Sequence, residues 1–321
     1  MHRCLGTDEA GYGPSLGPLV VSATSWRVPD DVDDAGLYRA LRKVVSAEPP
    51  APGVKSRRLT LADSKALYSP ALGLARLELG ALAALRVCGF RTTNLAELLV
   101  ELATGVSAEE ATLPWHAVGV PVPLVCDSAE VDRAADRLAR GLAEVQIELT
   151  AVAGRVVFPH EFNTLVETLG NKSNVLTCVT LGLVRSLVEA CDETGITVGC
   201  DKHGGRNSYA PALQRYVVDG LVQTVCEGRD ESVYRFADER RCCEFAFRVG
   251  GESRLPAALA SMVSKYVREL SMHAFNQFWR THHPDLRPTA GYSGDAGRFR
   301  DSIAPTAARL QLAEHRWWRN R

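Results

Sequence analysis

The chain has 321 residues, 46% hydrophobic and 23% charged, which fits one large or two modest domains with a sizeable core. Its formal net charge of −1 excludes a strongly basic binding module, while leaving room for an acidic centre flanked by basic residues. No apolar run is long enough to span a bilayer and Met1-His2-Arg3-Cys4 carries no signal core, so a cytoplasmic, monomeric protein without membrane contact is expected. The cysteines, nine in number and without any C-x-x-C pair, are expected as reduced and mostly buried thiols.

Residues 2–8 and 19–27 read as short strands, the second on the compact run Leu19-Val20-Val21-Ser22-Ala23-Thr24. Joining them is Gly6-Thr7-Asp8-Glu9-Ala10-Gly11-Tyr12-Gly13-Pro14-Ser15-Leu16-Gly17-Pro18, two adjacent carboxylates followed by Gly and Pro. Side chains alternate across a strand, so Asp8 and Glu9 make a poor core. They suit a divalent cation held beside a loop whose bare backbone lets a phosphate come close. Taken alone, the pair could equally be a polar hairpin corner.

Asp30-Asp31-Val32-Asp33-Asp34 is an acidic turn suited to cap a helix starting near Leu37. Pro49-Pro50-Ala51-Pro52-Gly53 breaks the chain, and Lys55-Ser56-Arg57-Arg58 is either a solvated loop or a phosphate contact. Asp63 and Ser64 in Leu61-Ala62-Asp63-Ser64-Lys65-Ala66-Leu67 read as N-cap material for an Ala/Leu-rich helix over about 70–86. A capped N-terminus near Lys65 also makes a reasonable phosphate neighbour. Residues 94–150 read as an elaboration, with a helix from Asn94 to Thr104, a break at Leu113-Pro114-Trp115 and an amphipathic helix from Ala129 to Val145. A strand from Ile147 to Val157 precedes a long helical stretch to Cys191, interrupted at Gly170-Asn171-Lys172-Ser173-Asn174.

Ile196-Thr197-Val198-Gly199-Cys200-Asp201 is a buried-type strand ending in Asp, the end at which open α/β sheets bind ligands. His203 just beyond it reads as a loop histidine rather than a proton shuttle. Two strands follow, near 221–226 and 243–249, and a helix begins near Arg254. On that helix Glu269 is either a ligand or the i,i+4 partner of Lys265. Tyr292, in Thr289-Ala290-Gly291-Tyr292-Ser293-Gly294-Asp295, is either a packed loop aromatic or a substrate contact. Arg316-Trp317-Trp318-Arg319-Asn320-Arg321 interleaves cations and aromatics in a way that suits a nucleic-acid strand, but reads better as an amphipathic helix end laid on the body.

The Gly6–Pro18 run resembles the opening motif of the type 2 ribonucleases H (ribonucleases HII and HIII), G-x-D-E-A-G-x-G-P-x-x-G-P. Tyr12 stands where that family most often has Arg. Asp63-Ser64-Lys65-Ala66-Leu67 resembles its D-S-K-x-L block, and Asp201 through Tyr209 its D-x-x-G…Y block. Pro256 through Glu269 resembles A-A-S-I-x-A-K-x-x-R-D, and Gly291-Tyr292 through Asp295 resembles G-Y-x-x-D. The blocks occur in family order over about 1–30, 60–70 and 195–300.

The resemblance implies an α/β fold: a ribonuclease H-like mixed five-stranded sheet flanked by helices, with a helical C-terminal extension. It divides the chain into a catalytic core, 1–253, and a helical part, 254–321, carrying the fourth acid and substrate contacts. Asp8, Glu9, Asp201 and Glu269 are then the catalytic metal ligands, for two Mg²⁺ or Mn²⁺ ions. Gly11, Tyr12, Gly13, Asp63, Ser64, Lys65 and Tyr292 would contact substrate. That substrate is the RNA strand of an RNA–DNA hybrid, or a ribonucleotide embedded in duplex DNA, cut to 5′-phosphate and 3′-hydroxyl ends. Tyr12 and Glu269 depart from the family pattern and keep open the alternative of a hybrid-binding protein without turnover; a second alternative is a nuclease for branched DNA on the same fold.

Overall fold

The computed structural model describes residues 1–51, 53, 54, 56–102 and 113–320. Pro52, Lys55 of the basic cluster, the end of the helix expected to reach Thr104, and Arg321 lie outside the described residues. β1 (His2–Ala10) and β2 (Leu19–Val28) form an antiparallel pair in which Asp8 faces Ser22 and Glu9 faces Val21. A short parallel pair, β3 (Val45–Ser46) with β4 (Leu59–Thr60), lies apart from the main sheet. β5 (Glu148–Val157) joins β2 antiparallel, β6 (Gly195–Asp201) lies parallel beside β1, and β9 (Cys242–Arg248) parallel beside β6. β8 (Glu231–Ala237) and β7 (Gln223–Glu227) continue the edge antiparallel, giving the order β5-β2-β1-β6-β9-β8-β7.

The sheet is therefore mixed, as expected, but among the described residues it has seven strands rather than five. The difference is the hairpin β7–β8, half of which is readable near 221–226. The strand missed is β8, in which Ser232, Tyr234 and Phe236 are buried on one face while Arg235 and Ala237 are exposed. That is a period-2 pattern, and the Arg within it masks the signal.

Helices cover both faces. The expected helix at Leu37 is a single turn, α1 (Leu37–Ala40), preceded by an Asp33 carboxylate that accepts from the Gly36 amide at 2.8 Å. Asp63 is indeed an N-cap, its Oδ1 accepting from Lys65 N at 3.0 Å, but of a separate one-turn helix, α2 (Ser64–Leu67). The Ala/Leu-rich helix starts only at α3 (Ala75–Val87), because the chain turns at Gly73 with φ +72°. Then come α4 (Leu95–Leu102) and α5 (Ser128–Glu144). Gly170 at φ +86° separates α6 (Pro159–Leu169) from α7 (Lys172–Glu189), and Asn171 caps the latter. α8 (Ala210–Tyr216), α9 (Leu255–His282) and α10 (Ser293–Arg309) complete the set.

Two buried clusters lie on opposite sides of the sheet. One joins Trp26 and Val20 with Leu77, Leu259, Val263 and Phe299; the other joins Val21 and Val198 with Phe162, Leu176, Val184 and Leu213. The start of α9 lies against β1 because Gly6 has no side chain. A Cβ there would stand 2.3 Å from Ala257 N and from the Pro256 carbonyl carbon. Thr24 Oγ1 pins the same turn by donating to the Pro256 carbonyl at 2.8 Å. No helix among the described residues is long and apolar enough to cross a membrane, and the cysteines are free thiols.

Candidate active site

β1 and β6 run parallel with Thr7 opposite Cys200, so Asp8 and Asp201 come next, side by side at the carboxyl ends of neighbouring strands. That edge is where an open α/β sheet leaves room for a ligand. Ser261 of α9 hydrogen-bonds the Asp8 carboxylate, and Ser264 Oγ donates to the Asp8 carbonyl at 3.0 Å. The close approach of α9 permitted by Gly6 thus brings two serines onto the acidic strand.

Asp201 Oδ1 accepts from the Gly251 amide at 3.2 Å. Gly251 lies so close that a Cβ there would sit 3.2 Å from the Asp201 Cα. The residue after it, Glu252, sits in the short turn between β9 and α9. One of its oxygens, Oε1, is 3.4 Å from Lys65 Nζ; the other, Oε2, is buried and has no hydrogen-bond partner among the described residues. A buried carboxylate oxygen left unpaired is costly, and it marks a place where a cation would be welcome.

The electrostatics agree. Burial pushes the Asp8 carboxyl well above its ordinary range, and the charges of Glu9 and Asp201 push further. Glu9 is raised to about 7 by burial, then by Asp201 and Glu252, with Lys65 opposing. Asp201 is raised by burial and by Glu252. Carboxylates that raise one another in this way are the arrangement that binds divalent cations. Among the described residues no three His, Cys, Asp or Glu groups already surround one point closely enough to hold a metal. The acids are gathered but not closed into a cage. Oxygen-only donors suit Mg²⁺ or Mn²⁺, and the orphaned Glu252 oxygen supplies the fit.

Glu269, the fourth acid expected from the motif, is committed elsewhere. Its Oε2 accepts from Tyr68 Oη at 2.7 Å and its Oε1 from Lys265 Nζ at 2.7 Å. It lies two turns beyond Ser261 on α9, in a different hollow lined by Tyr68, Pro70, Met272 and His273. The reason is helical geometry: the residues of α9 that face Asp8 are Ser261 and Ser264. Glu252, which the sequence motifs do not single out, is the acid whose charge raises Glu9 and Asp201. The available signal was Gly250-Gly251-Glu252-Ser253, an acid behind two glycines at the end of a strand and just before the Pro256 turn.

Several expected substrate contacts gather around this edge. Gly11 has φ +89°, and a Cβ on it would lie 2.4 Å from the Pro18 carbonyl oxygen and 2.5 Å from Arg268 Nε. Gly13 has open space around it. The Tyr12 ring is half-buried with Lys172 Nζ 4.8 Å from its centroid, while burial and the Glu9 charge raise its phenol pKa. Ser64 Oγ lies 3.0 Å from Ser261 Oγ, and Lys65 extends into solvent beside Glu252. Tyr292 is 52% exposed and follows Gly291, whose carbonyl accepts from the Ser15 and Leu16 amides. The Asp63 side chain is used as a helix cap. His203 is buried between Tyr209 and Phe247, bonded to Thr177 Oγ1 at 3.1 Å, and burial lowers its pKa to about 3. It is a neutral packing residue.

No family model and no curated protein matches this sequence. Solved structures do. The chain is similar to the ribonuclease H2 from Pyrococcus horikoshii OT3, with 12% identity, a TM-score of 0.43, and 98% of this chain and 92% of that one covered. It is similar to a chain of the PCNA:RNase HII complex from Archaeoglobus fulgidus, with 13% identity, a TM-score of 0.41, and coverage of 99% and 94%. Bst-RNase HIII in complex with Mn²⁺ matches with 15% identity, a TM-score of 0.42, and coverage of 98% and 65%. These proteins are type 2 ribonucleases H, the family that the sequence motifs resemble. Identities and scores this low carry no argument about activity, so the reading of the site rests on its residues.

Proposed function

We propose that the chain is a type 2 ribonuclease H-type endonuclease that hydrolyses RNA paired with DNA, using divalent cations held by Asp8, Glu9, Asp201 and Glu252. One observation carries this reading: Asp8, Glu9 and Asp201 at a strand-end edge all have raised pKa values, and beside them Glu252 holds an unpartnered buried oxygen. Glu269 is not among the ligands. Bound metal would lower the pKa of an attacking water and neutralise charge on the leaving 3′ oxygen.

The protein's own part is positioning. Ser261 and the Gly251 amide orient Asp8 and Asp201 by hydrogen bonds, which keeps these carboxylates aimed at one edge. Lys65, exposed beside Glu252, is placed to meet a phosphate. The open space at Gly13 leaves room for a ribose, whose 2′-hydroxyl separates RNA from DNA. Tyr292, exposed next to this loop, offers a flat face to a sugar or base.

The test is a substrate panel: a continuous RNA–DNA hybrid, a duplex with one embedded ribonucleotide, and a DNA four-way junction, each with and without Mg²⁺. The reading expects cleavage of the hybrid, with 5′-phosphate products, and none of the junction. Binding without cleavage of any substrate, in Mg²⁺ and in Mn²⁺, would favour the hybrid-binding alternative; junction cleavage would favour the branched-DNA alternative.

A further inference from the structure

The Gly11–Gly13 loop is held from behind by a segment far away in sequence. Arg319 is 2% exposed, and its Nη1 and Nη2 donate to the Gly11 carbonyl at 2.7 and 2.6 Å. Nη2 also donates to the Tyr12 carbonyl at 3.2 Å. The Arg319 amide donates to the Ser15 carbonyl at 2.8 Å, and Trp318 forms an antiparallel bridge with Leu16. On its other side the segment is tied to α6. Asn163 Nδ2 donates to the Trp318 carbonyl at 2.9 Å, Asn163 Oδ1 accepts from the Asn320 amide at 2.7 Å, and the guanidinium lies 4.2 Å from the Phe162 ring centroid.

This has a geometric consequence. In a trans peptide the N–H points opposite to the C=O of the same unit. With the Gly11 and Tyr12 carbonyls turned onto Arg319, the Tyr12 and Gly13 amides must point away from it. Neither amide has a hydrogen-bond partner among the described residues. Two adjacent unpaired N–H donors close to the acidic edge make a small anion- and hydroxyl-binding concavity.

We infer that Arg319 is a positioning residue for the substrate loop: its planar fork fixes two peptide planes, so that the Tyr12 and Gly13 amides present to a phosphate or ribose hydroxyl of the bound strand. A guanidinium suits the task because it holds two acceptors in one plane, which an ammonium cannot do. The segment expected to be a helix end resting on the body is thus an extended strap on the loop. The inference rests on the reading of this loop as a substrate contact.

Wild type, Arg319→Ala and Arg319→Lys are compared in three readouts: hybrid cleavage with Mg²⁺, melting temperature, and the rate of chymotryptic nicking after Tyr12, mapped by mass spectrometry. Arg319→Ala is expected to lower kcat/KM by about 10- to 100-fold, the range for losing charge-assisted hydrogen bonds. Nicking after Tyr12 should accelerate, and added guanidinium ion should restore part of the activity where NaCl of equal strength does not. Arg319→Lys should fold with a near-wild-type melting temperature yet keep a loss of cleavage. Cleavage within twofold of wild type in both variants, with unchanged nicking, would overturn the inference. So would a loss in Arg319→Ala that Arg319→Lys fully repairs, because that assigns the residue only a charge. If wild type itself fails to cut the hybrid, the functional reading falls, and the nicking comparison still decides whether Arg319 holds the loop.

Discussion

At the scale of single residues, the open question is which acid completes the cluster. Glu252→Gln removes the charge of a cluster carboxylate with an orphaned oxygen, whereas Glu269→Gln alters a group already satisfied by Tyr68 and Lys265. Steady-state kinetics on a hybrid should show Glu252→Gln losing at least about 100-fold in kcat/KM, about 2.7 kcal/mol, and Glu269→Gln staying within about threefold. The reverse order would return Glu269 to the site. A second expectation concerns pH. Glu9 is raised to about 7 in the fold, against an unfolded value of about 4.3. A raised carboxyl binds its proton more tightly when folded, so its stabilising contribution is complete below about pH 4 and is lost as pH climbs through 7. Without divalent cations, Glu9→Gln should therefore melt close to wild type near pH 4 and increasingly above it toward pH 8. A gap that does not vary with pH would contradict the burial and repulsion assigned to Glu9. Added Mg²⁺ should raise the wild-type melting temperature at pH 8 and narrow that gap.

At the scale of elements, the approach of α9 to β1 sets the site. Gly6→Ala would drive a Cβ into the Pro256–Ala257 backbone, and backbone cannot swing aside as a long side chain does. It should cost about 1–3 kcal/mol in denaturant unfolding and reduce cleavage by shifting Ser261 off Asp8. An unchanged midpoint would mean that this approach is slack. The same element shows how far sequence can be read. β1, β2, β5, β6 and the α6–α7 break were legible because their apolar periodicity and glycine punctuation are local signals. Asp8, Glu9 and Asp201 were singled out because each sits toward the carboxyl end of a strand with a recognisable apolar pattern. Glu252 had a local signal in its two preceding glycines that belongs to none of the motif blocks, whereas Arg319 had none, because it is defined by a meeting of segments about three hundred residues apart at Gly11. Glu269 shows the limit of motif reading: its motif position is recognisable, but its partners Tyr68 and Lys265 depend on the rotation of α9, which no local pattern states.

At the scale of the whole molecule, a net charge of −1 conceals an uneven distribution. Lys172 lies over Tyr12, and Arg206 and Arg215 line a hollow that also contains Asn174, Thr177 and Tyr216. On the proposed function, these cations would meet phosphates of the strands flanking a scissile bond. Lys172→Ala and Arg215→Ala should each weaken hybrid affinity and lower the slope of log K against log salt by about 0.7–0.9 for each phosphate no longer neutralised, without changing the metal requirement. Salt slopes equal to wild type would place the strands elsewhere. The central claim is that Asp8, Glu9, Asp201 and Glu252 act together through divalent cations on the RNA of a hybrid. Its most direct test is hybrid cleavage by wild type, Asp8→Asn and Asp201→Asn, in Mg²⁺ and in excess EDTA, with end-group analysis of the products. The account predicts 5′-phosphate and 3′-hydroxyl ends from wild type in Mg²⁺ alone, and no turnover by either folded variant; undiminished wild-type cleavage in EDTA, or a near-wild-type rate from either variant, would contradict it.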